Sequence, residues 1–279
     1  MKPAPFAYER PATLAEALAA IANREGGAIK IIAGGQSLGP MLNLRLAQPD
    51  VIVDITGLAE LKQVEMSGSE LAIGACVTHA DIEDGRIPDV TRGAMRRIAG
   101  AIAYRAVRNR GTIGGSLSHA DPSADWVSAL AALGARLTLR SLRGARDLAV
   151  ADFIIGALES ALEPDEIVET IRVPTVAPSA RWGYVKACRK PGEFAHAIGA
   201  VLIDPESGRA RAVIGAVEAA PIVVADAAEL FGGRVGGDFG RSFDPRVADA
   251  LLAKAGLADA ADRHIHVTAL RRAVAEAAA

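Results

Sequence analysis

The chain has 279 residues, of which 51 % are hydrophobic and 23 % charged, and its formal net charge is −2. That balance belongs to a globular chain long enough for two domains, and it gives no reason to expect nucleic acid or an acidic membrane surface as a partner. Two cysteines, Cys76 and Cys188, lie far apart without CxxC spacing, which argues against a disulfide framework and against an iron–sulfur or structural zinc site held by this chain.

The N-terminus, MKPAPFAYER, lacks the apolar core of a signal peptide. No stretch approaches the ~20 apolar residues of a membrane span, so a cytoplasmic protein is expected. Thr13 and Glu16 have capping-box spacing, and Leu14, Ala17, Leu18 and Ile21 then share one helical face. Residues 28–33 (AIKIIA) and 51–55 (VIVDI) are short apolar strands, which together suggest a small α/β unit. From Leu71 the character changes. LAIGA, ARLTLR and EIVETIRV read as strands with partial alternation, with helices expected near 78–84, 89–102 and 122–134. The last of these is expected to be capped by Asp121, with Pro122 in its first turn. Pro174, Pro178 and Ser179 mark a boundary. Beyond it RWGYVKAC, HAIGAVLI and RAVIGAV form three strands, with a turn at Asp204 to Gly208 and helices near 225–231, 245–255 and 263–277.

Two glycine loops carry the chemistry. Ala33-Gly34-Gly35-Gln36-Ser37-Leu38 follows a strand directly, and Gly111-Thr112-Ile113-Gly114-Gly115-Ser116 lies some 70 residues later. Paired glycines let successive N–H groups converge without Cβ obstruction, and such a cluster cradles phosphate oxygens. Taken alone, each is more often a tight turn. Neither fits GxGxxG ahead of a helix, and no GxxxxGK(S/T) is present, so a doubly wound dinucleotide fold and nucleoside triphosphate hydrolysis are unsupported. Arg105, Arg108 and Arg110 suit an anionic ligand and a solvated basic turn equally well. His119, Asp121 and Asp125 lack the second His or Cys that a metal site needs. Asp125, one turn beyond Asp121, is placed to accept hydrogen bonds from a ribose or an adenine amino group. His79, His196, His264 and His266 read as structural or surface residues, and Trp126 and Trp182 as core anchors.

KIIAGGQSL followed by RNRGTIGGSLSHADPSAD resembles the FAD-binding medium subunit of the molybdenum hydroxylases, the group of carbon monoxide dehydrogenase and xanthine dehydrogenase. MKPAPFAYERPATLAEAL is similar to the family's opening, and EIVETIRVP and GYVKACRKPGEFA to its later flavin-contacting segments. The resemblance implies an α+β fold. A two-lobed FAD-binding domain of the vanillyl-alcohol oxidase type would occupy residues 1–177, with lobes of about 1–56 and 57–177. A smaller α+β flavoprotein C-terminal domain would occupy 178–279.

The resemblance also implies roles. Ile31, Ile32, Ala33, Gly34, Gly35, Gln36, Ser37 and Leu38, with Thr112, Gly114, Gly115 and Ser116, would wrap the FAD diphosphate and approach the flavin. Asp125 would bind the adenosine half, and Ile102 would pack beside the cofactor. Ile167 or Val168 would lie against the isoalloxazine. Lys186 would approach the flavin or diphosphate, where a cation favours the anionic reduced ring. Gln36 stands where relatives carry His, Thr or Glu, and Ser116 where Asn is frequent. Neither a catalytic side chain nor a metal ligand is expected in this chain. Its implied partners are a large molybdopterin-binding subunit, a small subunit with 2Fe–2S iron–sulfur clusters, and a small-molecule or protein electron acceptor. The alternative is a stand-alone flavin oxidase or reductase of the same FAD-domain superfamily.

Overall fold

The computed structural model describes residues 2–23 and 27–279. Its N-terminal part is a three-stranded parallel sheet in the order β1 (Ala7–Glu9), β3 (Val51–Asp54), β2 (Ile29–Ile32). Helix α1 (Leu14–Ala22) begins as its spacing predicts: the Thr13 hydroxyl accepts from the Glu16 N–H at 3.2 Å. The Glu16 carboxylate reaches back to the Ala12 N–H, one residue short of a full capping box. Ala17, Leu18 and Ile21 are buried and pack with Val53, Ile55 and Leu58. Between β2 and β3 the chain makes the first glycine loop and a short helix, α2 (Leu38–Asn43), that periodicity does not announce.

The next part centres on a five-stranded antiparallel sheet, β4-β5-β10-β6-β7, built from β4 (Val64–Ser67), β5 (Glu70–Gly74), β6 (Arg136–Ser141), β7 (Gly144–Ala149) and β10 (Ile167–Pro174). The edge strands β4 and β7 are mostly exposed, so neither carries the apolar residues that identify β5, β6 and β10. Between β5 and β6 come α3 (His79–Glu83), α4 (Ala94–Ala101), α5 (Arg105–Arg108), α6 (Ile113–His119) and α7 (Asp125–Ala132). A short helix α8 (Val150–Phe153) and the small hairpin β8 (Ile154–Gly156) and β9 (Glu159–Ser160) precede β10. Helix α7 starts three residues later than Asp121-Pro122 predicts. The Asp121 carboxylate instead accepts from the Ser123 N–H at 2.8 Å in a turn, and Asp125 opens the helix.

The C-terminal part is an antiparallel meander of β11 (Arg181–Ala187), β12 (Ala197–Asp204), β13 (Arg209–Gly215) and β14 (Ile222–Val224). After it come α9 (Phe239–Ser242), α10 (Pro245–Lys254) and α11 (Ala260–Ala278). Helix α11 lies directly on the sheet, because Gly183 and Gly199 carry no Cβ to strike the backbone of Ala273 and Leu270. The largest hydrophobic core joins Leu71, Ile73, Trp126 and Ile171 to Tyr184, Ile198 and Val213, so the second and third sheets share buried surface. Among the described residues no helix is long and apolar enough to cross a membrane.

Candidate functional site

A cavity of about 440 Å³ opens where the three parts meet. Every cofactor-contact residue nominated from the sequence lies on its wall except Ile32 and Gly114. Ile32 is off the wall, its Cδ1 lying 3.2 Å from where a Cβ on Gly35 would stand. Gly114 is buried behind the wall, where a Cβ would collide with Ala75.

The two glycine loops do different work. In the first, the N–H groups of Gly34, Gly35, Gln36, Ser37 and Leu38 donate to no acceptor among the described residues. Five successive free amides on a cavity wall form a nest for an anion. Gly35 sits at φ +71°, and Gly34 presses against the carbonyl of Arg110 and the Cα of Gly111, locking the first loop to the approach of the second.

The second glycine pair is not a loop but the first turn of α6. Its amides are already used: Ile113 donates to Val77 O at 3.0 Å, Gly114 to Ala75 O at 2.9 Å, and Gly115 to the Thr112 hydroxyl at 3.1 Å. Thr112 caps the helix, and Ile113 and Leu117 bury its apolar side completely. The expectation of two amide cradles is therefore corrected to one cradle plus a capped helix. That helix offers Gly115, Ser116 and the Thr112 hydroxyl to the wall.

The three arginines do not converge on a ligand. Arg108 binds Glu83 through Nε at 2.7 Å and donates to Ile102 O and Ala103 O at 2.9 and 3.0 Å. It thereby braces the segment that puts Ile102 on the wall. Arg105 spans Glu83 and Asp84; the hydrogen bond from Arg108 holds the Glu83 carboxylate below its ordinary range, and that from Arg105 does the same for Asp84. Arg110 is exposed.

Asp125 and Lys186, assigned by resemblance to separate parts of the cofactor, are one ion pair. Lys186 Nζ lies 3.0 Å from Asp125 Oδ2 and 3.2 Å from Ala101 O, and Tyr184 Oη donates to Asp125 Oδ1 at 2.8 Å. Tyr184 and Lys186 are two residues apart on β11 and so share one face. Burial pushes the Asp125 carboxyl up, opposed by Lys186 and Tyr184. Burial, with the adjacent carboxylate, pushes the Tyr184 phenol well above its usual value. The ammonium is thus held on the cavity wall by a buried anion.

The wall also includes residues not nominated from the sequence, among them His79, Glu166 and Phe194. Glu166 is gripped by Arg146 at 2.7 Å, which lowers its pKa. Phe194 is 65 % exposed on the loop between β11 and β12; it falls within the quoted GYVKACRKPGEFA, but nothing local singles it out. His79 is 5 % exposed and accepts a hydrogen bond at Nδ1 from Trp126 Nε1, 3.0 Å away. The Thr78–Asp81 capping box fixes its backbone, and Thr-x-x-Asp was the available signal for that helix start. His264 is largely solvent-facing, and His266 is tied to Asp262 O and Ala216 O. Trp126 is a fully buried anchor, whereas Trp182 is only half-buried beneath Arg97. Among the described residues no group of His, Cys, Asp or Glu is disposed to hold a metal ion.

Burial, with Arg108 nearby, lowers the His79 pKa from 6.5 to about 4. The unfolded chain therefore binds this proton more readily. The stability contribution is complete above pH 6.5 and is lost as pH falls toward 4, by roughly 3 kcal/mol in all. His79→Asn cannot titrate, so its urea unfolding free energy should fall less between about pH 7 and pH 4.5 than the wild type's. Equal losses in the two proteins would exclude His79 as the source.

A parallel-sheet lobe carrying an amide nest, set against an antiparallel lobe and a C-terminal meander around one cleft, defines a flavoprotein of the two-lobed α+β class. Residues 4–176 match the family described as the FAD binding domain in molybdopterin dehydrogenase, and the chain belongs to that family of oxidoreductase subunits. The beta subunit of caffeine dehydrogenase from Pseudomonas sp. strain CBB1 is 37 % identical over 207 residues, covering 74 % of this chain and 70 % of its relative. A solved structure of carbon monoxide dehydrogenase from Hydrogenophaga pseudoflava, lacking the Mo-pyranopterin moiety of its molybdenum cofactor, contains a chain 31 % identical. It superposes with a TM-score of 0.85 over 99 % of this chain and 98 % of that one. Quinoline 2-oxidoreductase from Pseudomonas putida 86 gives a TM-score of 0.85 at 31 % identity, over 100 % of this chain and 98 % of its own.

The residues present fit FAD. The free amides of 34–38 suit a diphosphate, the apolar side chains of Ile102, Ile167 and Val168 suit a flat ring, and Lys186 supplies a fixed positive charge.

Proposed function

We propose that the chain is the FAD-binding electron-transfer subunit of a heterotrimeric molybdenum hydroxylase in the cytoplasm. Its partners in this reading are a large molybdopterin-binding subunit and a small subunit carrying 2Fe–2S clusters. Residues 1–177 hold the cofactor, in lobes of about 1–56 and 57–177, and 178–279 form the C-terminal flavoprotein domain that contributes Lys186. Bound FAD would supply the redox chemistry that links the partner's iron–sulfur clusters to an external acceptor. The chain's own residues bind and orient. Gly34 to Leu38 grip the diphosphate through their amides, Ile167 or Val168 shields one flavin face from water, and Asp125 holds Lys186 where negative charge develops on reduction. The observation that carries this reading is the row of five free amides on the cavity wall, in a chain of this family.

Purification from the native source, with metal analysis and subunit identification, tests it. Flavin, molybdenum and iron co-purifying with two further chains is the expected result. A single purified chain that oxidises an organic substrate without partners would overturn it in favour of a stand-alone flavin oxidase or reductase.

A further inference from the structure

His79 has an uncommitted proton. Its Nδ1 accepts from Trp126 Nε1–H at 3.0 Å. An indole nitrogen only donates, so Nδ1 carries no hydrogen and the neutral ring is protonated at Nε2. That Nε2–H has no acceptor among the described residues, although the side chain is 5 % exposed. Among the described residues only the Ser128 hydroxyl is both fully buried and unpartnered, so the Nε2 atom is open to the cavity, where a ligand can accept its hydrogen. His79 is on the cavity wall. Its Nε2–Cδ2 edge lies against Gly111, 2.8 Å from where a Cβ would stand, and Gly111 Cα lies 2.7 Å from the equivalent point on Gly34. The donor therefore sits at the seam where the amide nest meets the approach to α6. The residue is held in place from three sides: the capping box of Thr78 and Asp81 and the bond from its backbone N–H to Gly111 O at 2.9 Å fix its main chain, and Trp126 sets the tautomer of its ring.

We infer that His79 donates its Nε2–H to a phosphate oxygen of the bound dinucleotide, completing on one flank the grip begun by the amides of 34–38. The inference rests on the FAD reading of the cavity. It also gives Trp126 a task beyond filling the core: the indole chooses the tautomer that presents a donor, not an acceptor, to an anion. Burial keeps the ring neutral near pH 7, so the bond contributes without adding a charge that the site would have to desolvate.

Two substitutions separate the ring nitrogens. In His79→Asn the side-chain oxygen can still accept from Trp126 but nothing reaches the Nε2 position. In His79→Gln the amide nitrogen can reach near it. FAD and ADP are titrated into the FAD-free full-length chain, with flavin fluorescence for FAD and calorimetry for ADP. His79→Asn is expected to weaken both ligands about ten- to hundredfold, the range for a hydrogen bond to a charged group, with the FAD-free chain melting as the wild type does. His79→Gln is expected to remain within about threefold of the wild type. Unchanged FAD affinity in His79→Asn overturns the inference and leaves the FAD reading standing. Weakening of FAD but not of ADP overturns the assignment to phosphate. A wild-type chain that binds no FAD overturns both readings. Should neither variant fold, the wild-type chain labelled with nitrogen-15 histidine suffices: saturation with FAD should move the His79 Nε2–H proton downfield, and an unmoved resonance in the FAD-bound chain overturns the inference.

Discussion

Asp125→Ala is expected to destabilise the FAD-free chain by about 3–5 kcal/mol and to lower its affinity for FAD. The reason is Lys186, whose side chain is 8 % exposed and which would keep only the carbonyl of Ala101 as a partner. Removing one member of a buried ion pair leaves the other charge uncompensated, and that is the dominant cost. The buried Tyr184 hydroxyl loses its acceptor in the same step. Lys186→Met removes the stranded charge, but it also removes the positive charge from the cavity wall. The double variant Asp125→Ala with Lys186→Met should therefore recover much of the stability while failing to recover FAD affinity, because a well-packed apolar pair can replace a buried ion pair structurally but not electrostatically. Urea unfolding of the FAD-free proteins and flavin fluorescence titration measure the two effects separately. A single variant less than about 1 kcal/mol below the wild type would show that the pair is not a support.

Much of this was legible in the sequence, and the parts that were not share a cause. Helix α1 was readable because it buries one face and leaves a helical period, and β5, β6, β10 and the first three strands of the meander were readable as short apolar runs, β5 and most of β12 being buried on both faces. Strands β4 and β7 lie at sheet edges with little buried, so they leave no period. Helix α6 was hidden in a glycine-rich stretch that local propensity assigns to a loop. It is helical because Ile113 and Leu117 are buried four residues apart, Thr112 caps it, and its glycines admit Ala75 and Thr112 at close range. The site divides in the same way. The first glycine loop announced itself because backbone chemistry demands glycine there. The pairing of Asp125 with Lys186 could not be read locally, since 61 residues separate the partners. Nor could the link from Trp126 to His79, which spans 47. Composition places residues on elements, whereas tertiary contacts decide which polar groups are spent and which remain free.

That distinction between spent and free groups also ranks the glycines. Gly34→Ala is expected to abolish FAD retention, while Gly35→Ala should only weaken it. At Gly35 the φ of +71° penalises any side chain, by about 1–2 kcal/mol. An added methyl there meets only the Cδ1 of Ile32 at 3.2 Å, the tip of a side chain that can move aside. Gly35→Val is harsher, because a β-branched residue tolerates the left-handed region poorly. At Gly34 the obstacle is backbone: the carbonyl of Arg110 and the Cα of Gly111 occupy the place a Cβ would take. No rotamer change relieves that clash, so the first loop must separate from the segment leading into α6. Separation would misdirect the amides of 34–38 and pull Gly111 from the His79 ring edge. The expected destabilisation is at least about 3 kcal/mol, the upper range for overpacking, and it falls on the segment that grips the diphosphate. The flavin-to-protein absorbance ratio after purification, with thermal melting of the FAD-free chains, orders the three variants. If Gly34→Ala kept stoichiometric flavin while Gly35→Ala lost it, the junction between the loops would have no part in shaping the nest, and backbone conformation at Gly35 alone would govern binding.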